Sequence, residues 1–217
     1  MPGPGCRQRR SLQRMTNMAE IAAPLLQQMK EHVDRTTDLL QRLDYSAVNR
    51  LVEKLFEAYQ EGRRVFIFGN GGSAATASHF AEDLAKGTVK DLSVPKRLRV
   101  SSLTDSVPFI SALGNDCGYE TIFREQLVTN AEPGDVAIAI SGSGNSPNVV
   151  TAVKWARENG LYTAGLSGFN GGKLKGMVDV SIHCPILDME IAENAHMIVV
   201  HLVVGGLRTM VRDASEL

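Results

Sequence analysis

Two short segments rich in glycine and serine carry the clearest chemistry in this sequence. One is Gly69-Asn70-Gly71-Gly72-Ser73, the other Ser141-Gly142-Ser143-Gly144-Asn145-Ser146. Each directly follows a short apolar run, at 64–68 and 136–140, and each opens a helical pattern. Glycine lets the backbone take positive φ and come close to a ligand. Serine adds a hydroxyl hydrogen that can be given to a phosphate oxygen. A helix N-terminus adds free N–H groups and a positive partial charge, so both segments suit an anion. A plain strand-to-helix turn would need only one glycine, and would leave the serines and asparagines idle. A dinucleotide site is the other rival, because Gly69-x-Gly71-x-x-Ala74 fits its relaxed fingerprint. That fingerprint wants an acidic residue about 20 residues on, at the end of the next strand. Here the second strand ends much later, near Thr104-Asp105, and a dinucleotide gives the second segment no task.

The elements that must position these loops follow from periodicity. Residues 19–43 place Leu26, Met29, Val33, Leu40 and Leu43 on one helical face. A second helix is expected from Ser46, as its cap, to about Gln60, with Gly62 as its stop. Short apolar strands are then expected at 64–68, 98–103, 136–140, 161–166 and 179–183. Helices are expected at 73–86, 119–130 and 147–159, the last with Pro147 in its first turn. A long helix at about 191–212 closes the chain. Continuous apolar strands alternating with helices predict an α/β fold: a doubly wound, five-stranded parallel sheet in the flavodoxin-like order 2-1-3-4-5, preceded by two helices. In that order strands one and three are neighbours at the switch point, so both loops open into one crevice. The last helix is apolar nearly all round, which fits either a subunit interface or a core helix of the monomer.

With 217 residues and 43% hydrophobic content the chain reads as one large domain. Its net charge of −1 offers no long-range attraction to nucleic acid or an anionic membrane. Residues 1–17 read as a disordered leader holding Arg7, Arg9 and Arg10, with no apolar stretch of the signal-peptide kind. Met15 or Met18 could be the true start, and 18–217 is taken as the single domain. No run is expected to cross a bilayer, the most apolar one, 197–207, being too short. Cys6, Cys117 and Cys184 form neither a CxxC pair nor a disulfide framework, which predicts a reducing cytoplasm.

The pair GNGGSAATASHFAEDL and AISGSGNSPNVV resembles the sugar isomerase (SIS) domain family, and within it the phosphoheptose isomerases. The resemblance extends over about residues 19–212. It implies an isomerase acting on sedoheptulose 7-phosphate, in a cytoplasmic homotetramer with active sites between subunits, often with bound zinc. Carried onto this sequence, it implies phosphate and sugar contacts from Ser73, Ser141, Ser143 and Ser146, with Asn70 and Asp116 as polar lining. Gly71, Gly72, Gly142 and Glu193 complete the expected substrate contacts. It further implies Asp83 and His201 as the proton-transfer pair, and His79, Asp83, Glu193 and His201 as ligands of one Zn²⁺.

Four positions depart from the family pattern: Asp83 stands for glutamate, Glu193 for glutamine, Gly87 for arginine and Gly142 for threonine. His79 and Asp83, four apart, share one helix face. Glu193 and His201 are eight apart on theirs. Two His and two carboxylates facing one another suit Zn²⁺, with His196 as an alternative ligand and His32 and His183 incidental. Without the resemblance, a structural Asp83 and a core His201 would be the more natural reading. A SIS domain that binds a sugar phosphate or a protein partner without catalysis is the alternative function.

Overall fold

The computed structural model describes residues 4–89, 91 and 93–215, with backbone alone for 4–21, 214 and 215. The chain divides into two compact units, Met1–Gln41 and Arg42–Leu217. The first is the helix α1, Pro4–Gln41. It runs as helix through positions 4–17, where the sequence reading expected a disordered leader; positions 1–3 lie outside the described residues. Leu25, Leu26, Met29 and Val33 of α1 are exposed.

The second unit opens with α2, Tyr45–Glu61. Its cap is Asp44, not the expected Ser46: the carboxylate accepts from the Ser46 and Ala47 N–H groups, two of the unpaired donors of the first turn. Gly62 ends the helix in the left-handed region, as expected. The chain then runs β1 (Arg64–Gly69), α3 (Gly72–Gly87), β2 (Arg99–Ser102), α4 (Val107–Asp116) and α5 (Ile122–Asn130). It continues through β3 (Val136–Ser141), α6 (Pro147–Glu158), β4 (Tyr162–Ser167), β5 (Val180–His183) and α7 (Met189–Ser215). The helix α4 was not expected, because Gly114-Asn115-Asp116 reads as a turn and none of its residues is buried.

The five strands pair in parallel in the order β2-β1-β3-β4-β5, the order expected from the sequence. β3 is buried along its whole length, as a central strand covered on both faces must be. The edge strand β2 instead alternates between exposed and partly buried. The register pairs Gly69, the last residue of β1, with Ile140, so the first loop begins beside the second.

α7 packs against α2 and α3 and buries Ile191, Ala195, Val199, Val203 and Leu207. Met189–Asp213 is long and apolar enough to cross a membrane by length and composition, which the shorter run 197–207 had not led us to expect. Its apolar stripe is used on neighbouring helices, so within the unit it is a core helix. Gly206 lets α2 come close: a Cβ there would lie 3.1 Å from Val52.

The same helix buries His196, which is 1% exposed and whose ring nitrogens both lack a partner. Burial pushes its pKa down to about 4; a Ser167 backbone group nearby works the other way and is outweighed. The unfolded chain therefore binds the extra proton between about pH 6.5 and 4. Stability contributed by the neutral ring is complete above that window and is lost as pH falls through it. We expect a loss on the order of 3 kcal/mol on acidification, much of it absent in His196→Leu. Urea unfolding at the two ends of the window checks this, and equal pH slopes for both proteins would refute it.

Candidate active site

A cleft of about 290 Å³ opens where β1 and β3 end, lined by Asn70, Gly71, Gly72, Ser73, Ser141, Gly142, Ser143 and Ser146. The loop residues expected to touch substrate therefore meet in one place, and Glu193 joins them from α7. Ile140 and Met189 complete the lining. Met189 could not have been found by pattern, since it reaches the cleft only through the docking of the start of α7.

The serine hydroxyls are held so that their hydrogens remain available. Ser141 Oγ accepts from the Gly144 N–H at 3.2 Å and lies 3.3 Å from Ser146 Oγ. Ser143 Oγ accepts from the Asn145 N–H at 3.2 Å. The Ser141 and Ser143 oxygens are each pinned by a backbone donor, which leaves the Ser143 O–H and one hydroxyl hydrogen of the Ser141–Ser146 pair to give to an anion. Ser146 is the residue before α6 and makes no capping bond with its side chain, so the start of that helix remains a positive end for a ligand.

The second loop is braced from behind by the chain after β4. Gly144, at φ +66°, packs directly on the Gly171 carbonyl, and Gly172 packs on the Ser143 and Gly144 carbonyls. The Leu174 N–H donates to the Gly144 carbonyl at 3.0 Å, and the Lys173 N–H to Asn145 Oδ1 at 3.1 Å. At position 142 a Cβ would run into Met189 Sδ, so a side chain there requires the flexible Met189 to move aside.

Two turns along α3 from the cleft stands a second group. His79 Nε2 lies 3.2 Å from Asp83 Oδ2, and His201 Nε2 lies 3.5 Å from His79 Nε2 and 3.9 Å from Asp83 Oδ2. The imidazoles meet edge to face, 5.3 Å between centroids. The residues sit on facing stripes of α3 and α7. Four ligands at 2.0–2.1 Å in a tetrahedron stand roughly 3.3 Å apart, and the three separations bracket that value. The donor set would fit Zn²⁺.

Two expectations are corrected. Glu193 does not join this cluster: its carboxylate lies over Gly72, at the cleft. The packing of α7 against α3 brings His201 to His79, while Glu193, eight residues earlier, falls at the loop end. Asp116 stays out of the cleft of its own chain. It ends α4 exposed, accepting from its neighbour Asn115 at 2.7 Å. His196, the alternative ligand, is buried away from the cluster.

The departure at Gly87 also has a physical counterpart. Arg208 of α7, seven residues beyond His201, donates from Nε to the Gly87 carbonyl at 2.5 Å. Its Nη2 would stand 3.5 Å from a Cβ at position 87, with Asp83 Oδ1 3.9 Å from the same point. A guanidinium from α7 thus occupies the neighbourhood where the family pattern has its own arginine on α3. Lys86, beside it, is engaged with Glu82 on the exposed face.

Comparison with known proteins gives the family and the fold. The SIS domain profile matches residues 16–168. The phosphoheptose isomerase of Pelobacter propionicus is 38% identical over 154 residues, covering 70% of this chain and 79% of the relative. That of Trichlorobacter lovleyi is 40% identical over 157 residues, covering 72% and 78%. Among solved structures, the phosphoheptose isomerase of Neisseria gonorrhoeae superimposes with a TM-score of 0.78 at 27% identity, covering 87% of this chain and 99% of that one. The matched span holds both serine-bearing loops and the His79–Asp83 stripe, and this chain belongs to the SIS domain family.

Proposed function

We infer that this chain is an aldose–ketose isomerase of a sugar phosphate, converting sedoheptulose 7-phosphate to D-glycero-D-manno-heptose 7-phosphate. One observation carries the reading: α3 joins a serine-lined anion cleft at its start to a His–Asp–His cluster farther along. From Ser73 the helix rises about 9 Å to His79 and about 15 Å to Asp83, a span suited to a long sugar whose phosphate and carbonyl lie at opposite ends. Ser73, Ser141, Ser143 and Ser146 hold the phosphate. Asn70, the backbone of Gly71, Gly72 and Gly142, and Glu193 meet the adjoining part of the sugar.

Isomerisation moves a proton from C1 of the ketose to C2 through an enediol, and exchanges protons between the two oxygens. Asp83 takes the carbon-bound proton and returns it. His201 serves the oxygens, protonating one and deprotonating the other. His79, 3.2 Å from the carboxylate, holds Asp83 in place. The same donor atoms of His79, Asp83 and His201 would hold Zn²⁺, which when bound would polarise the carbonyl as a Lewis acid in place of the His201 proton.

Turnover of purified protein against a panel of ketose phosphates, with and without added Zn²⁺, tests the activity. Binding of sedoheptulose 7-phosphate without isomerisation in Zn²⁺ would leave a non-catalytic sugar-phosphate binder. The cleft has its own test. Replacing Ser143 and Ser146 together by Ala removes two hydroxyl donors and should weaken sugar-phosphate affinity roughly tenfold or more, at about 1 kcal/mol per bond. Unchanged affinity by calorimetry would remove the anion from this loop.

The working assembly is a homotetramer in the cytoplasm. Leu26, Met29 and Val33 expose one apolar stripe of α1, at 59%, 55% and 61%, more than a lone helix face usually leaves in water. Closed dihedral symmetry is the common solution for such a chain. Light scattering at micromolar concentration should give four times the chain mass; a monomer would contradict it. Cys117 is free and exposed, and burial pushes the Cys184 thiol up to about 11, a pair fitted to a reducing compartment.

A further inference from the structure

Asn70 is held by groups whose hydrogen-bond polarity can be traced back to the main chain. The Val149 N–H donates to the side-chain oxygen of Asn148 at 3.0 Å. A backbone N–H can only donate, so it identifies Asn148 Oδ1 and, by elimination, Asn148 Nδ2. That nitrogen donates to Asn70 Oδ1 at 2.8 Å, and Asn70 Nδ2 donates back to Asn148 Oδ1 at 2.9 Å. The two carboxamides form a closed pair. The Tyr119 hydroxyl lies 3.1 Å from Asn70 Oδ1, and against an oxygen it must donate.

An asparagine side chain offers two acceptor positions and two N–H donors. At Asn70 both acceptor positions and one donor are taken. What Asn70 has left to offer the cleft is a single N–H. Asn148 is 1% exposed, so it makes its contacts in the interior, where an unpaired amide is costly and a paired one is rigid. We propose that Asn148 and Tyr119 are positioning residues that fix Asn70 as a hydrogen-bond donor, so that this point of the cleft selects an acceptor oxygen on the ligand, a carbonyl or an ionised phosphate oxygen. The identity of the ligand rests on the sugar-phosphate reading; the polarity of Asn70 does not.

The test uses the full chain, with sedoheptulose 7-phosphate binding followed by calorimetry. Tyr119→Phe removes one hydroxyl from an exposed ring and should leave folding intact, yet weaken binding roughly fivefold. Asn148→Asp replaces the donor by an acceptor at neutral pH, so two oxygens face each other and Asn70 turns away. On acidification its carboxyl gains an O–H that can donate to Asn70 Oδ1, while the other oxygen still accepts from Val149. Affinity in Asn148→Asp should therefore recover relative to wild type between about pH 8 and pH 5, a range set by the raised pKa of a buried carboxyl. Asn148→Leu should show no such recovery. A merely structural role would give Asp and Leu variants with the same pH dependence, and that result would overturn the proposal.

A ligand-free readout separates this from failure of the isomerase reading. The Asn70 side-chain amide resonances should shift in Tyr119→Phe whether or not any sugar binds. If wild type binds no sugar phosphate but those resonances shift, the substrate assignment fails and the clamp stands. If wild type binds and the resonances and affinities are unmoved, the clamp fails alone.

Discussion

Asp83→Asn will lower turnover by roughly two to four orders of magnitude, the usual worth of general acid–base catalysis. The substitution keeps the shape of the side chain and removes its capacity to accept a proton from carbon. Substrate affinity should change much less, because the phosphate is held by serines about three helical turns away. His201→Ala should act similarly on turnover. The two residues stand 3.9 Å apart, and groups that work as a unit are not additive, so the double variant should be little worse than either single one. Both also belong to the donor set that fits Zn²⁺, so metal content must be measured beside the rates. Loss of rate with metal retained marks Asp83 as the base. Full activity in Asp83→Asn would leave the isomerase in place and take away that role.

The second large effect is expected at Gly144. Its φ of +66° lies in the left-handed region that side chains avoid, and a Cβ there would run into the Gly171 carbonyl. Gly144→Ala must therefore push the Ser141–Ser146 turn off the chain that follows β4. That breaks the bond from the Leu174 N–H and moves the serine hydroxyls. Strain and close approach combine here, so we expect destabilisation above about 3 kcal/mol, well beyond the usual range for a surface loop. Sugar-phosphate binding should be lost in whatever folds. Urea unfolding with a parallel titration measures both. A variant as stable as wild type would show that the two loops are not locked together.

The sheet order and both loops were legible because they depend on local signals: apolar runs of strand length, and glycine and serine at their ends. The cap of α2 was misplaced by two residues because Asp44 and Ser46 are both good caps, and sequence does not say which carboxylate or hydroxyl reaches the first N–H groups. Helix α4 was hidden by Gly114 and Asn115, which signal a turn wherever they occur. The site was legible along each helix and illegible between helices. Spacing puts His79 with Asp83, and Glu193 with His201, but only the crossing of α7 over α3 decides which of the second pair meets the first. It delivers His201 to the cluster and Glu193 to the cleft. Asn148 and Tyr119 sit near recognised motifs, yet their part depends on a contact between Asn70 and a residue 78 positions away.

The pairing of Gly69 with Ile140 has a consequence for how the protein comes into being. The two halves of the cleft are about a third of the chain apart in sequence, and every strand connection is a parallel crossover rather than a hairpin. Contacts of that kind form only after long loops have closed, which makes such folds slow. A nascent chain ending before β3 carries the first loop with nothing opposite it. The capacity to grip a phosphate thus arrives late, in the same step that closes the sheet. No partly folded form of this chain should compete with the native protein for its sugar.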